Sequence, residues 1–248
     1  MSMSACTATC RANFKLTALK DITNYQGIQV ERTNFGSFLL NQSAYIRKIA
    51  ESFGVDKAKP SKISMDPAWI SERERYQSLV GALLYVAVGT RPDIAIAASI
   101  LGRKVSQPSE ADWIEAKRTL RYLTTTADLK LEFGGTGELE GFVDADWPGD
   151  KADRQYNSGF MFKLGDGAIS WAARKQQCVS LSSTEAEYVA LSEASQKLLW
   201  LTKVVPDVDE DVIKPVVMHE DNPSCITMLS STGGRSRRAK HIDTRFNK

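Results

Sequence analysis

The sequence predicts an α/β fold, α+β when the whole chain is counted, and three observations carry that expectation. Apolar residues recur at helical spacing from about 71 to 126, and the period shortens to that of strands from about Glu138. Beyond that point the strand and helix signals run β-β-β-α-β-α. With 248 residues and 42% hydrophobic content, the chain can build one large or two small cores.

Residues 1–13 are small and polar and are expected to fray. Residues 14–68 read as a short α+β unit, with Tyr25 to Arg32 and Ser37 to Asn41 as strands across an Asn34-Phe35-Gly36 turn. Ser43 to Phe53 follows as a helix, because Tyr45, Ile46, Ile49 and Phe53 share one face and Gly54 ends it. Pro60 and Pro67 mark 57–67 as a linker.

The stretch 69–137 reads as a helical connection. Leu79, Leu83, Leu84, Val86 and Val88 make one apolar helix, and Pro92 opens a second that runs through Ile94, Ile96, Ile100 and Leu101. A third, Glu110 to Leu123, carries Trp113, Ala116, Leu120 and Leu123 on one face, with Lys117, Arg118 and Arg121 as a solvated basic cluster.

In the last stretch, 138–248, strands are expected over Leu139–Ala145, Ser158–Leu164 and Ala168–Ala173, joined by turns containing Gly149-Asp150 and Gly165-Asp166-Gly167. A long helix from about Thr184 to Val205 opens on two capping-box patterns, Ser182-x-x-Glu185 and Thr184-x-x-Glu187. A strand over Pro215–Glu220 and a helix from Pro223 complete the order.

Charge and cysteine usage exclude several classes. Lys plus Arg number 32 against 30 Asp plus Glu, so affinity for nucleic acid must come from clustering, as in the basic run Arg235, Arg237, Arg238 and Lys240. Cys6, Cys10, Cys178 and Cys225 show no zinc spacing with His219 or His241 and read as reduced thiols of an intracellular protein, cytoplasmic or nuclear. No apolar run approaches the roughly 18 residues of a membrane span, so no membrane partner is expected.

Chemistry enters through the carboxylates. Asp144 closes an apolar strand, Glu185 lies in the first turn of the long helix, and Asp221 follows a second strand. If the two strands are neighbours, both aspartates emerge at one edge and the helix start can bring Glu185 beside them. Such a group repels itself unless cations bind, and oxygen-only ligands suit two Mg²⁺ or Mn²⁺ ions. Each residue has a plainer reading: a strand-end Asp as a turn residue, a first-turn Glu answering the helix dipole, and Asp221-Asn222 as a helix cap. Only their joint placement favours the metal site. Asp146, Asp150 and Asp153 read as turn and solvent residues, and a two-carboxylate glycosidase would need more aromatic cleft than Trp147 and Trp171 supply.

Tyr76-Gln77-Ser78-Leu79-Val80-Gly81, Thr90-Arg91-Pro92-Asp93-Ile94, Ala116-Lys117-Arg118-Thr119-Leu120-Arg121-Tyr122-Leu123, Asp144-Ala145-Asp146-Trp147, Ala168-Ile169-Ser170-Trp171, Leu181-Ser182-Ser183-Thr184-Glu185-Ala186-Glu187-Tyr188, Asp221-Asn222 and Lys240-His241-Ile242-Asp243 are specific words. Through them the chain from about Phe14 to Lys248 resembles the Pol polyprotein of copia-type LTR retrotransposons, from the end of reverse transcriptase into ribonuclease H. The resemblance implies a ribonuclease H-like mixed sheet in 138–248 and hydrolysis of the RNA strand of an RNA–DNA hybrid. It assigns the metal-holding acids to Asp144, Glu185 and Asp221, gives the basic run a hybrid-backbone role, and makes the rest of a Pol polyprotein a partner.

Departures from the family pattern set further expectations. No Tyr-x-Asp-Asp word is present, so no polymerase activity is expected. The resemblance fades upstream of Phe14. The family's fifth strand and last helix, with a fourth acid, would lie past Lys248, so a C-terminally truncated domain is expected, with Asp243 the reserve candidate for the fourth ligand. The alternative to a hybrid ribonuclease is a catalytically inactive remnant that keeps at most nucleic-acid binding.

Overall fold

A tight hairpin starts the first sheet. In the computed structural model, which describes residues 22–55, 69–135, 137–146, 155–205 and 215–230, β1 (Asn24–Tyr25) pairs antiparallel with β2 (Ile28–Arg32). The single strand expected over Tyr25 to Arg32 is broken here. Gln26 and Gly27 both take positive φ, 49° and 80°, the backbone that a two-residue hairpin turn requires. β3 (Phe38–Asn41) returns beside β2 across Gly36, and the Ser37 N–H donates to Thr33 Oγ1 at 3.0 Å. β4 (Leu131–Phe133) adds to β3 at the far edge, a three-residue strand too short for periodicity to mark.

Four helices lie between β3 and β4 in the chain. α1 (Ser43–Ser52) stops before Gly54, α2 (Trp69–Gly89) is the long apolar helix, a 3₁₀ turn at Pro92–Ile94 leads into α3 (Ala95–Gly102), and α4 spans Glu110–Thr125. Ser109 caps α4 in a reciprocal box, its hydroxyl accepting from the Asp112 N–H while the Asp112 carboxylate accepts from the Ser109 N–H. Ile46, Tyr76, Leu79, Leu83, Leu120 and Leu123 are buried in one cluster, so α1, α2 and α4 share a core.

The second sheet carries the β-β-β-α-β-α order. β5 (Leu139–Asp146), β6 (Asn157–Leu164) and β7 (Gly167–Lys175) are antiparallel, and β8 (Val217–His219) runs parallel to β5, giving the order β7-β6-β5-β8. α5 (Ser183–Val204) lies against β5 and β6, and α6 (Pro223–Ser230) packs on α5. This is the ribonuclease H-like mixed α/β arrangement expected from the sequence. Ala186, Ala190 and Ala194 are fully buried, and their small side chains bring α5 close to Phe160 and Phe162.

Gly141 holds the parallel pair together. A Cβ there would collide with Met218 Sδ on β8 and with the Phe162 ring on β6. Gly141→Ala is therefore expected to lose about 1–3 kcal/mol, the usual cost of overpacking, read as a lower denaturant midpoint.

α3 meets the sheet's other face beside β7. The Trp171 indole N–H donates to the Ala87 carbonyl at 2.8 Å, and the Arg103 guanidinium reaches the Asn157 side-chain oxygen. Nearby lies an open apolar depression of about 290 Å³ bordered by Ile96, Phe142, Asp144, Met161 and Trp171. Among the described residues no helix is long and apolar enough to cross a membrane, and Cys178 and Cys225 are free thiols. The expectations for 1–13, for 57–67, for Trp147, Gly149, Asp150 and Asp153, and for everything from Arg235 to Asp243 lie outside the described residues.

Candidate metal centre

The strand ladder aims the aspartates. Along β5 the residues Leu139, Gly141, Val143 and Ala145 are buried while Asp144 and Asp146 are exposed, the alternation of a strand with one face on a core. β8 pairs in parallel with Phe142 opposite His219, so Asp144 and Asp221, each two residues further on, leave the same edge together. The Phe142 and His219 rings stack at 4.6 Å and brace that end. Asn222 performs the helix cap, its side-chain oxygen accepting from the Ser224 and Cys225 N–H groups at 3.0 and 3.1 Å. The capping role foreseen for the Asp221-Asn222 pair thus falls to Asn222.

The helix contributes Glu187 to this group. Carboxylate oxygens of Asp144, Glu187 and Asp221 all lie within 4.8 Å of one another. Glu185, the glutamate expected there, is turned elsewhere. Its Oε2 accepts from the Leu181 N–H at 2.7 Å, and its own N–H donates to Ser182 Oγ at 3.1 Å. Residues two apart on a helix point about 200° away from each other, so Glu185 cannot cap the helix start and face the sheet edge as well. Glu185 thus takes the plainer role of a first-turn acid, and the acid beside the two aspartates is Glu187.

A signal for Glu187 exists in the sequence. Glu187, Leu191, Ala194, Leu198, Leu201 and Val205 recur at alternating steps of four and three, and the five apolar members belong to or pack on the second core. Glu187 heads the stripe that faces the sheet. The sequence also gave no notice of Gln176, which is fully buried and sets the helix start. Its side-chain N–H groups donate to Ser158 Oγ at 3.2 Å and to the Ala186 carbonyl at 2.8 Å, and its oxygen accepts from Ser180 Oγ at 3.0 Å.

The site's electrostatics suit a bound cation. Glu187 is 5% exposed, and its Oε2 has no hydrogen-bond partner among the described residues. Burial, then the neighbouring charges of Glu220, Asp144 and Asp221, push its carboxyl up to about 7, against a smaller opposing hydrogen bond from the Ala145 backbone. A carboxyl raised in the folded state binds its proton more tightly there than in the unfolded chain. Stability in chelator is therefore expected to fall as pH rises from about 4.5 to about 7 and to level off above, by up to about 3 kcal/mol at roughly 1.4 kcal/mol per pKa unit. Denaturant titrations of the wild-type chain and Glu187→Gln across that range check this, since the substitution should flatten the slope.

Three acids from two adjacent strands and one crossing helix define a ribonuclease H-like fold with a candidate cation centre at its open edge. No protein-family profile matches the chain. The chain is 37% identical over 223 residues to the retrovirus-related Pol polyprotein from transposon TNT 1-94 of Nicotiana tabacum, covering 84% of this chain and 17% of that protein. It is 32% identical over 240 residues to the retrovirus-related Pol polyprotein from transposon RE1 of Arabidopsis thaliana, covering 92% of this chain and 16% of that protein. The chain belongs to the retrovirus-related Pol polyproteins of copia-type retrotransposons. It spans about a sixth of the length of these two relatives. It is also 50% identical over 129 residues to secreted RxLR effector protein 161 of Plasmopara viticola, covering 51% of this chain and 91% of that protein.

Proposed function

We propose that the second sheet and its helices hydrolyse the RNA strand of RNA–DNA hybrids, with two Mg²⁺ or Mn²⁺ ions held by Asp144, Glu187 and Asp221. The carrying observation is the convergence of these carboxylates around the partnerless Glu187 oxygen. Three hard oxygen donors suit Mg²⁺ or Mn²⁺ better than softer metals. When bound, such a pair of ions supplies an activated water and neutralises charge on the leaving 3′ oxygen.

The chain's own residues supply position and charge. β5 and β8 hold the two aspartates at one exposed edge, where a phosphodiester can approach. α5 holds Glu187 from below, its start fixed by the Ser182 and Glu185 cap and by Gln176. The basic run Arg235, Arg237, Arg238 and Lys240 would contact the hybrid backbone, each neutralised phosphate adding roughly 0.9 to the salt slope. RNA would be told from DNA through its 2′-hydroxyls.

The test is a hybrid with either strand labelled, incubated with the 248-residue chain and Mg²⁺. RNA-strand cleavage that chelator abolishes is expected. Cleavage of the DNA strand, or cleavage indifferent to chelator, would sink the proposal, and hybrid binding without cleavage would return the non-catalytic reading.

A further inference from the structure

Two helices carry a group of cations that the hydrolysis reading leaves unused. Arg75 comes from α2, and Lys117, Arg118 and Arg121 come from α4. The Lys117 Nζ lies 5.2 Å and the Arg75 guanidinium carbon 5.9 Å from the centre of one ring, that of Trp113. Phe53 meets the same ring edge-on at 6.3 Å and fixes it in place. By spacing alone these α4 cations make a solvated face, and a solvated face has no reason to recruit a further cation from another helix. Lys117 and Arg121 are four residues apart on α4 and Arg118 and Arg121 three apart, spacings at which like charges repel. Among the described residues the one carboxylate that pairs with this group is Glu115, which reaches Arg118 at 3.5 Å with both side chains more than half exposed. Asp112 is taken up by the Ser109 cap. The helix dipole does not account for the cations either, because no basic residue falls in the last turn of α4.

We propose that Arg75, Lys117, Arg118 and Arg121 form an interaction surface that grips the sugar–phosphate backbone of the hybrid, outside the Asp144, Glu187 and Asp221 group. This deepens the hybrid reading above and rests on it for the choice of duplex. Trp113 packs against the first core and already carries two cations, so it serves to place charge rather than to stack on a base. A phosphate backbone offers a continuous row of negative charge, which suits cations stepping along α4 and across to α2 better than the isolated carboxylates of an acidic protein segment do. With a net charge of only +2, the chain can hold a polyanion only where its cations gather locally. Guanidinium forks match phosphate oxygens two at a time, and such contacts position a duplex without reading its sequence.

The experiment follows the fluorescence anisotropy of a labelled RNA–DNA hybrid with the 248-residue chain in chelator, across a salt series, so that binding is read without cleavage. The triple variant Lys117→Gln, Arg118→Gln and Arg121→Gln is expected to bind roughly 10-fold or more weakly at low salt and to flatten the dependence of log K on log salt by up to about 3 units, or about 4 with Arg75→Gln added. Its thermal unfolding should match wild type, since exposed charges contribute little. Arg118→Lys with Arg121→Lys should keep the slope, and Glu115→Gln, which frees Arg118, should tighten binding. If the triple variant proves unfolded, the exposed pair Arg118→Gln with Arg121→Gln decides, with a flattening of up to about 2 units expected. A wild-type slope in the folded variants overturns the proposal. Polyglutamate that displaces the chain as readily as unlabelled hybrid overturns it too, and would assign the surface to an acidic protein. A flattened slope in variants of a chain that cleaves nothing once Mg²⁺ is restored upholds this surface and overturns the ribonuclease reading alone.

Discussion

Glu187→Gln should abolish hybrid cleavage, with a loss of roughly a thousandfold or more, the scale of removing a group that stabilises transition-state charge. The amide keeps the volume and the Ala145 backbone contact but removes the negative charge that faces Asp144 and Asp221. Asp144→Asn and Asp221→Asn should fall by similar amounts, while Asp146→Asn, outside the acidic group, should change little. Glu185→Gln is the discriminating control. A glutamine oxygen can still accept from the Leu181 N–H, so cleavage and stability should both stay near wild type. Loss of cleavage in Glu185→Gln with retention in Glu187→Gln would reverse the assignment of the helix acid.

Arg91→Met should destabilise the first core by about 3 kcal/mol, the low end of the range for stripping one partner from a buried ion pair, because the Asp93 left behind is about one-third exposed. The Arg91 side chain is 2% exposed and makes two bonds to Asp93 at 2.9 and 2.6 Å, with further bonds to the Thr126 carbonyl and hydroxyl at 2.9 and 2.7 Å. The guanidinium also sits 5.5 Å from the Tyr122 ring centre, and Tyr122 Oη donates to Asp93. Methionine fills the space and takes the Arg91 donors from Thr126 and from Asp93, which keeps its bond from the Tyr122 hydroxyl.

Burial pushes the Asp93 carboxyl up, but the hydrogen bonds from Arg91 and Tyr122 outweigh it and hold it below the ordinary value. The stability that Asp93 contributes is therefore present above the ordinary aspartate range and lost as pH falls through its lowered folded value. Denaturant unfolding of Arg91→Met, Tyr122→Phe and the double variant Arg91→Met with Asp93→Leu measures the pair. Tyr122→Phe should lose only about 1 kcal/mol, and the double variant should recover part of the Arg91→Met loss. An unchanged midpoint for Arg91→Met would show that the pair contributes nothing.

The sequence by itself determined what is local. Alternation in Leu139–Ala145 and Ser158–Leu164, the apolar spacing of Ser43–Phe53 and Glu110–Leu123, and the Ser182 cap predict elements that the structure reproduces within a few residues. Each of these signals depends on neighbours along the chain. Asp144 and Asp221 were legible for the same reason, since each follows directly from where a strand ends. The pairing of β8 with β5, the addition of β4 to β3, and the rotation of α5 about its axis depend on residues far apart in sequence. That rotation decided between Glu185 and Glu187. Both occupy the first turns of one helix and both fit a capping pattern, but only packing of the Leu191, Ala194, Leu198 and Leu201 stripe on the sheet decides which carboxylate reaches the edge. The Gln26-Gly27 turn split a predicted strand because two positive φ angles let the chain reverse within two residues, and the hairpin it closes is held by cross-strand pairing.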